Sequence, residues 1–248
     1  MGKLRYGIIP AAGQGKRMGY LTRLIPKPLL PLYDEAIIFH VLKNMEMMGV
    51  EEVFIPVHYH KEVFTKYFED VQGRLPLTIH VLPLDRPTSG IAGTIETCRE
   101  AIDDDFVVIL GDDCTIAKTF DNLIDSFFRN DALVVEGAVY DDDPRSISSA
   151  CMIAPGRSGA IADIIEKPTE ITSHLRGCGI YIFNRNIFPY IERTQILPPR
   201  NEVEITNTIR LAAGEGRAFY ETIDGLNINI NNADDLLRAS LIMKSRSN

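Results

Sequence analysis

The feature that most constrains the fold is an alternation of short apolar runs with stretches whose apolar residues recur at helical spacing. The apolar runs of the first half lie at residues 6–10, 53–57, 77–82 and 106–110. The helical stretches between them lie at residues 37–48, 61–68 and 91–102. Apolar runs of this length are typical of buried strands. Repeated strand–helix–strand units predict an α/β fold with a mainly parallel sheet and helices on both faces.

The second half of the chain is richer in strands. Its strand-like runs lie at residues 132–140, 150–154, 160–165, 179–183 and 218–223. Helical spacing returns at residues 185–192, 203–213 and 233–243. No low-complexity linker separates the halves, and 248 residues suit one α/β domain. We therefore expect a single domain over residues 1–248, with a parallel-sheet half at about 1–130 and a β-rich half at about 131–248.

Composition excludes several classes of protein. The formal net charge of -8 disfavours a nucleic-acid partner, because the phosphate backbone would be repelled. No apolar run approaches the ~18 residues of a membrane helix, so no membrane partner is expected. The four cysteines include no Cys-x-x-Cys pair, which argues against a zinc or redox motif and favours a reducing cytoplasm. The acidic run at residues 141–143 is typical of an exposed turn.

A glycine-rich loop follows the first predicted strand, at residues 10–18. Gly13 and Gly15 allow the backbone to approach an anion closely, and successive N–H groups can then bind it. The loop lacks the Gly-Lys-Ser/Thr ending of a P-loop, and Lys16 and Arg17 stand where a dinucleotide fingerprint has its third glycine. A glycine loop alone more often forms a simple turn. The adjacent cations favour phosphate binding instead.

A lysine with proline on both sides lies downstream, in the sequence Pro26-Lys27-Pro28. The prolines restrict the backbone around Lys27, as expected for a lysine that is held toward a phosphoryl oxygen. The fourth apolar run ends in Gly-Asp112-Asp113. Carboxyl ends of parallel strands share one edge of the sheet, so the glycine loop and this carboxylate pair should meet there. A carboxylate at a strand end suits a hard cation, although an Asp after Gly is also common in plain turns.

Three motifs together resemble a known family. Gly13-x-Gly15-x-Arg17-Met18, the Pro26-Lys27-Pro28 segment and Glu166-Lys167-Pro168 are similar to the signature of the sugar-1-phosphate nucleotidyltransferases. This family includes the glucose-1-phosphate uridylyl- and thymidylyltransferases. The resemblance runs from about residue 5 to 240. It implies a Rossmann-like, GT-A-like nucleotidyltransferase fold with a β-rich elaboration that binds the sugar. The substrates that it implies are a nucleoside triphosphate, UTP or dTTP, and a sugar 1-phosphate.

The resemblance also implies roles for individual residues. The expected catalytic cations are Arg17, Lys27 and Lys167. The expected nucleotide contacts are Ala11, Ala12, Gly13, Gln14, Gly15, Lys16, Asp85, Gly90 and Asp112. The expected sugar-phosphate contacts are Glu166, Lys167 and Gly179. Homo-oligomers are usual in this family, so self-association is an expectation of the same kind.

The resemblance further implies a magnesium ion. Asp112 matches the first metal ligand, with Asp113 behind it. The second ligand of the family is usually an Asp near the C-terminus, but this sequence has Asn there. Asn229 is the preferred match and Asn231 the second choice. An Asn carbonyl oxygen can bind Mg²⁺, although it adds no charge.

The expected base-binding segment departs from the family pattern. The family commonly has a Gln before the glycine at the helix start, whereas Asp85 lies near that place here. Base selectivity therefore does not transfer, and two alternatives stay open. One is a cytidylyltransferase that acts on a polyol or alcohol phosphate, and the other is a catalytically silent regulatory protein that binds nucleotide sugars. His58 and His60 face the same side of a strand end, but with no third ligand a surface or loop role is favoured.

Overall fold

Strands and helices alternate along the computed structural model, which describes residues 3–196 and 201–246. The strands are β1 (Tyr6–Ile8), β2 (Pro31–Leu32), β3 (Glu35–Ala36), β4 (Glu52–Val57), β5 (Thr78–Pro83), β6 (Phe106–Ile109), β7 (Asp113–Ala117), β8 (Val134–Tyr140), β9 (Cys151–Pro155), β10 (Ile161–Glu166), β11 (Leu175–Phe183), β12 (Ala218–Thr222) and β13 (Gly225–Asn229). The α-helices are α1 (Ile37–Met47), α2 (Lys61–Val71), α3 (Gly90–Glu96), α4 (Asp121–Arg129), α5 (Pro144–Ser149), α6 (Phe188–Arg193), α7 (Ile205–Gly214) and α8 (Ala233–Arg246). Short 3₁₀ turns fill several of the connections.

A mixed sheet forms the middle layer, with nine strands in the described part of the chain. Strands β6, β1, β4 and β5 are adjacent in that order and parallel, so their carboxyl ends share one edge. Strand β11 joins this block to the β-rich half, because it pairs antiparallel with β6 on one side and with β8 and β9 on the other. The predicted Rossmann-like α/β architecture with a β-rich elaboration is confirmed.

Alternating side chains of the strands feed two cores. Ile55, Val107 and Ile182 belong to the core covered by α1, α2 and α4. Phe54 and Phe106, their neighbours along the same strands, belong to the core covered by α3, α6 and α7. The period-two alternation of a strand explains this division, and it confirms helices on both faces of the sheet.

A third, smaller core connects the two ends of the chain. Met18 after the glycine loop packs with Cys114 of β7, Ile230 after β13 and Ala239 of α8. Strands β7 and β13 pair antiparallel as a separate ribbon beside the main sheet. The sequence analysis placed neither strand, and it also missed α4. Strand β11 begins at Leu175, four residues before the predicted start.

The described helices include none that is both long and apolar enough to span a bilayer.

Phe106 offers a direct test of the packing behind the sheet. Its ring is fully buried, 5.6 Å from that of Phe183 and 5.5 Å from that of Phe188. Phe106→Ala should lower the free energy of unfolding by about 3–5 kcal/mol, because it leaves a cavity in an apolar core. Urea denaturation measures this change. Phe128→Ala is the matched control, since Phe128 is 39% exposed, and its effect should stay below about 1 kcal/mol. Equal losses would contradict this packing.

Candidate active site

A cleft of about 700 Å³ opens at the carboxyl edge of the parallel strands. Its walls contain nearly every residue that the sequence analysis selected. They are Ala11, Ala12, Gly13, Gln14, Gly15, Lys16, Arg17, Lys27, Gly90, Asp112, Glu166, Lys167, Gly179, Asn229 and Asn231. Residues separated by up to about 220 positions along the chain therefore meet in one site.

The glycine loop lies at the centre of the cleft and is held by neighbouring segments. Ala11 donates its N–H to the Pro56 carbonyl oxygen at 3.1 Å, which attaches the start of the loop to β4. Gly15 has a φ of 62°, and a Cβ there would lie 3.0 Å from the Cβ of Lys27. The Thr22 hydroxyl donates to the Gly15 carbonyl oxygen at 3.0 Å. Gly15 thus lets the loop pass close over Lys27.

Two cations with contrasting surroundings border the loop. Arg17 lies on an exposed 3₁₀ turn (Lys16–Met18), and no hydrogen bond or ion pair holds its guanidinium among the described residues. Lys27 is the opposite case, since its side chain is only 7% exposed. Its Nζ donates to Oδ2 of Asp112 at 2.6 Å. A buried ammonium needs such a partner, because desolvation of an unpaired charge costs several kcal/mol.

The donor set around Asp112 fits a magnesium ion. Lys27 donates a hydrogen bond to Oδ2 of Asp112, and the Asp112 side chain remains 33% exposed in the cleft. Asn229 ends β13 and pairs in register with Asp113, the residue after Asp112, so both candidate ligands line the same wall. One carboxylate and one amide oxygen suit an ion that takes its remaining ligands from phosphates and water. The described residues contain no cluster of three or more His, Cys, Asp or Glu side chains that could hold a metal ion.

A buried polar network holds the ribbon of β7 and β13 against the main sheet. Arg176 on β11 is only 3% exposed and donates through Nε to Asp141 at 2.9 Å. Its NH1 and NH2 groups donate to the side-chain and backbone oxygens of Asn227 at 2.7 and 3.1 Å. Asn227 in turn donates to Asp113 Oδ1 at 2.6 Å. Asn229 lies two residues beyond Asn227, so this network positions it.

Asp113 is only 5% exposed, and burial raises its pKa to about 8. The positive charge of Arg176 and the hydrogen bond from Asn227 act in the opposite direction but do not cancel the effect. Asp113 is thus held by Asn227 next to Asp112, and its expected role behind Asp112 stays a prediction.

One end of the cleft follows β10 and contains the residues predicted to contact the sugar phosphate. Lys167 adopts a left-handed backbone, with a φ of 49°, and its N–H donates to the Ala150 carbonyl oxygen at 2.7 Å. Its Nζ lies 3.8 Å from Oε1 of Glu166. Gly179 has a φ of 69°, and a Cβ there would lie 2.9 Å from the Leu110 side chain. A left-handed, partly buried lysine is strained, which is typical of functional sites.

A buried carboxyl group lies beneath the β10 end of the cleft. Glu136 on β8 is fully buried, accepts the Cys151 thiol proton at Oε1 over 3.1 Å, and leaves Oε2 without a hydrogen-bond partner. A Cβ on Gly177 would lie 2.0 Å from that Oε1. Burial raises the pKa of Glu136 to about 8, and the nearby charge of Glu166 raises it further. Gly177 is required because the carboxyl group occupies its side-chain position.

The other end of the cleft lies beyond β4 and β5. Gly90 has a φ of 70°, and a Cβ there would lie 2.6 Å from the Val203 carbonyl oxygen, so only glycine fits. Asp85 is exposed and is not part of the cleft wall, which resumes at Pro87. Its placement does not support the predicted nucleotide contact, because the chain leaves the sheet after Leu84.

The two histidines of the β4–α2 connection are used separately. His58 bonds the Leu84 carbonyl oxygen through Nδ1 at 3.1 Å, and His60 bonds the Arg23 carbonyl oxygen through Nε2 at 3.0 Å. His58 lines the cleft and His60 does not. The preference for a loop role over a metal site is consistent with these contacts, although His58 also faces the cleft.

Several other cleft residues were not predicted as site residues, namely Cys151, Arg176, Gly177, Glu202 and Asn227. A charged residue inside an apolar run was the available signal for Arg176 in the sequence Leu-Arg-Gly-Cys-Gly. The same signal marks Glu136 in Val-Val-Glu-Gly. A charge in a central strand needs a partner, so each of these residues predicts a buried polar contact.

Comparison with known proteins decides the family. The family model described as nucleotidyl transferase matches residues 6–245. The chain belongs to the nucleotidyl transferase family. The resemblance inferred from the motifs is thereby confirmed, and the chain is a nucleotidyltransferase.

Relatives at similar distance carry related names. A UTP–glucose-1-phosphate uridylyltransferase of Haloferax volcanii is 29% identical over 235 residues, with 92% of each chain covered. The UTP–glucose-1-phosphate uridylyltransferase of Bacillus subtilis is 26% identical, with 93% of this chain and 87% of that one covered. A bifunctional protein GlmU of Methanococcus maripaludis is 30% identical over 237 residues. The match covers 94% of this chain but only 53% of the GlmU chain.

Solved structures share the fold. A putative glucose-1-phosphate thymidylyltransferase from Bacillus anthracis superposes with a TM-score of 0.84 at 24% identity, covering 96% of this chain and 94% of that one. A UDP-glucose pyrophosphorylase solved with UDP-glucose gives a TM-score of 0.85 at 21% identity, with 98% and 99% covered.

Glu136 predicts a pH-dependent stability. Its pKa is raised in the folded state, so the folded protein binds more protons than the unfolded chain at intermediate pH, and stability falls as pH rises from about 5 to about 8. Glu136→Gln should remove up to about 1.4 kcal/mol per pH unit from this decline and stabilise the protein at pH 8. Denaturation by urea across this pH range measures the slope.

Glu170→Gln is the control, since Glu170 is exposed, and it should leave the slope unchanged. A slope that Glu136→Gln also leaves unchanged would show that Glu136 is ionised in the folded protein at neutral pH.

Proposed function

We propose that this chain transfers a nucleotidyl group from a nucleoside triphosphate, UTP or dTTP, to a sugar 1-phosphate, with release of pyrophosphate. One observation carries the proposal. Arg17, Lys27, Lys167 and Asp112 come from distant parts of the sequence and line one cleft with the glycine loop between them. The names of the full-length relatives support both the donor and the acceptor.

The reaction is an in-line attack. A phosphate oxygen of the sugar 1-phosphate attacks the α-phosphorus of the nucleotide, and the bond to the bridging oxygen of pyrophosphate breaks. The nucleophile is already anionic, so no general base is needed. Catalysis rests on alignment and on neutralising charge in the transition state. This mechanism fits the cleft, which provides several cations and in which no carboxylate needs to act as a general base.

Each cation has a separate task. Lys167, at the β10 end of the cleft, holds the phosphate of the acceptor. Arg17 is exposed beside the glycine loop and binds the triphosphate, including the departing pyrophosphate. Lys27 supplies a fixed charge from beneath the loop, because burial and its bond to Asp112 restrict its motion.

Asp112 and Asn229 would hold a Mg²⁺ ion, which supplies positive charge to the phosphoryl oxygens when bound. The network from Arg176 through Asn227 orients the strand that carries Asn229. Asp112 and Asn229 together carry a single formal negative charge, so phosphate oxygens of the substrate would have to supply further ligands to such an ion.

A pyrophosphate-release assay tests the proposal directly. Purified protein is mixed with Mg²⁺, one of UTP, dTTP, CTP, ATP or GTP, and one of a panel of sugar 1-phosphates and polyol phosphates. Turnover of UTP or dTTP with a sugar 1-phosphate supports the proposal. Turnover only of CTP with a polyol phosphate would establish the cytidylyltransferase alternative. Nucleotide-sugar binding without any turnover would establish the regulatory one.

Two alanine variants should separate the donor and acceptor ends. Arg17→Ala and Lys167→Ala should each lower kcat/KM by roughly 10²–10³, as for loss of one transition-state donor. Arg17→Ala should raise the KM for the nucleotide, whereas Lys167→Ala should raise that for the sugar phosphate. Lys118→Ala is the control, because Lys118 is exposed outside the cleft, and steady-state kinetics with thermal midpoints measure all three. Wild-type rates in both cleft variants would refute the assignment.

Asn229→Asp tests the metal site. The added carboxylate should lower the Mg²⁺ concentration for half-maximal activity by roughly tenfold, since it adds charge to the ligand pair. Mn²⁺ binding measured by electron paramagnetic resonance gives a readout that is independent of turnover. Asn231→Asp is the matched control, and a larger effect of that variant would make Asn231 the ligand. No tightening in either variant would remove this strand from the metal site.

A further inference from the structure

We infer that His58 reads the nucleobase, by accepting the N3–H of uracil or thymine at its Nε2 atom. The inference rests on the proposed nucleotidyl transfer and names a residue that selects the base. Three observations lead to it: the position of His58 along the sheet, the hydrogen bond that sets its tautomer, and the exclusion of Asp85 from the cleft wall.

The order of the strands places the nucleoside end of the cleft. Strands run β11, β6, β1, β4 and β5 across the sheet, and neighbours lie about 4.8 Å apart. Lys167 follows β10 on the far side of β11, Asp112 follows β6, and the glycine loop follows β1. With the acceptor near Lys167 and the triphosphate over the loop, the nucleoside extends toward the ends of β4 and β5. His58 is the residue that follows β4.

The hydrogen bond to Leu84 fixes which nitrogen of His58 can accept. A carbonyl oxygen only accepts, so Nδ1 carries the proton that is donated to Leu84 over 3.1 Å. In the neutral ring, Nε2 on the opposite edge then holds a lone pair. No hydrogen bond or ion pair engages this Nε2 among the described residues. The Leu84 N–H donates to the Val57 carbonyl oxygen at 2.7 Å, so the partner of the ring is itself fixed to β4.

The threonine hydroxyls at this end are already engaged. The hydroxyls of Thr88 and Thr94 bond each other at 2.6 Å, and Thr94 also donates to the Gly90 carbonyl oxygen at 2.9 Å. Gly90 has no side chain. His58 is consequently a side-chain acceptor at this end that has a set orientation and an uncommitted lone pair.

A hydrogen-bond acceptor at this place distinguishes uracil and thymine from cytosine. Uracil and thymine carry a proton on N3, whereas N3 of cytosine is itself an acceptor and would face the His58 lone pair. Leaving a polar group of the site unpaired in the bound state costs a factor of roughly 10–100 in specificity. The 5-methyl group that distinguishes thymine from uracil is not involved, so UTP and dTTP should both be accepted.

His58→Asn is the sharpest test. The Asn Nδ2 group occupies a position similar to that of Nδ1 of histidine and can keep the bond to Leu84, while the acceptor at Nε2 is removed. Wild-type protein should prefer UTP and dTTP to CTP. His58→Asn should lower the ratio of kcat/KM for UTP to kcat/KM for CTP by roughly 10- to 100-fold, mainly because kcat/KM for UTP falls. His60→Ala is the matched control, because His60 lies outside the cleft wall and should leave the ratio unchanged.

The outcomes separate this inference from the proposed function. Transfer that occurs with an unchanged ratio in His58→Asn would overturn the role of His58 alone, as would wild-type preference for CTP or a purine nucleotide. If no acceptor in the panel is used, the proposed function fails. Calorimetric titration of UTP and CTP into wild-type protein and His58→Asn then still decides the role of His58, because equal affinity ratios in the two proteins would exclude it.

Discussion

The site depends on the hydrogen bonds that the buried guanidinium of Arg176 donates. It joins Asp141 after β8 to Asn227 of β13, and Asn227 passes the contact to Asp113 of β7. Strands β7 and β13 form a separate ribbon, whereas β8 and β11 belong to the main sheet. Truncating one partner of such a network leaves a buried charge unpaired, which typically costs 3–5 kcal/mol. Arg176 therefore sets where β13, which carries Asn229, lies relative to the parallel strands.

Charge is distributed unevenly across the cleft. Lys27 is buried and paired with Asp112, whereas Arg17 and Lys167 are more accessible. Two carboxyl groups beneath the surface, Asp113 and Glu136, have pKa values raised to about 8 by burial. The raised pKa values reduce the negative charge that these two groups place against a polyphosphate. An acidic protein can thus keep a cationic binding surface.

The sequence predicted well wherever a repeat or a motif carried the information. Apolar runs placed the parallel strands, and the cations of the glycine loop and of the Glu166-Lys167 segment proved to line one cleft. It predicted poorly where polar residues alternate within short strands, as in β7 with Asp113 and Thr115, because such segments resemble loops. Single charges inside apolar strands gave no indication of their partners, since Arg176 and Asn227 lie 51 residues apart. The stripe of Leu123 and Phe127 could have predicted α4.

The packing of β13 and α8 on the first half has a consequence for biosynthesis. Met18, beside the glycine loop, reaches its full burial only against Ile230 and Ala239. A ribosome releases those residues some 200 positions after the loop. This small apolar cluster of the amino-terminal half is therefore completed only after most of the chain has been translated.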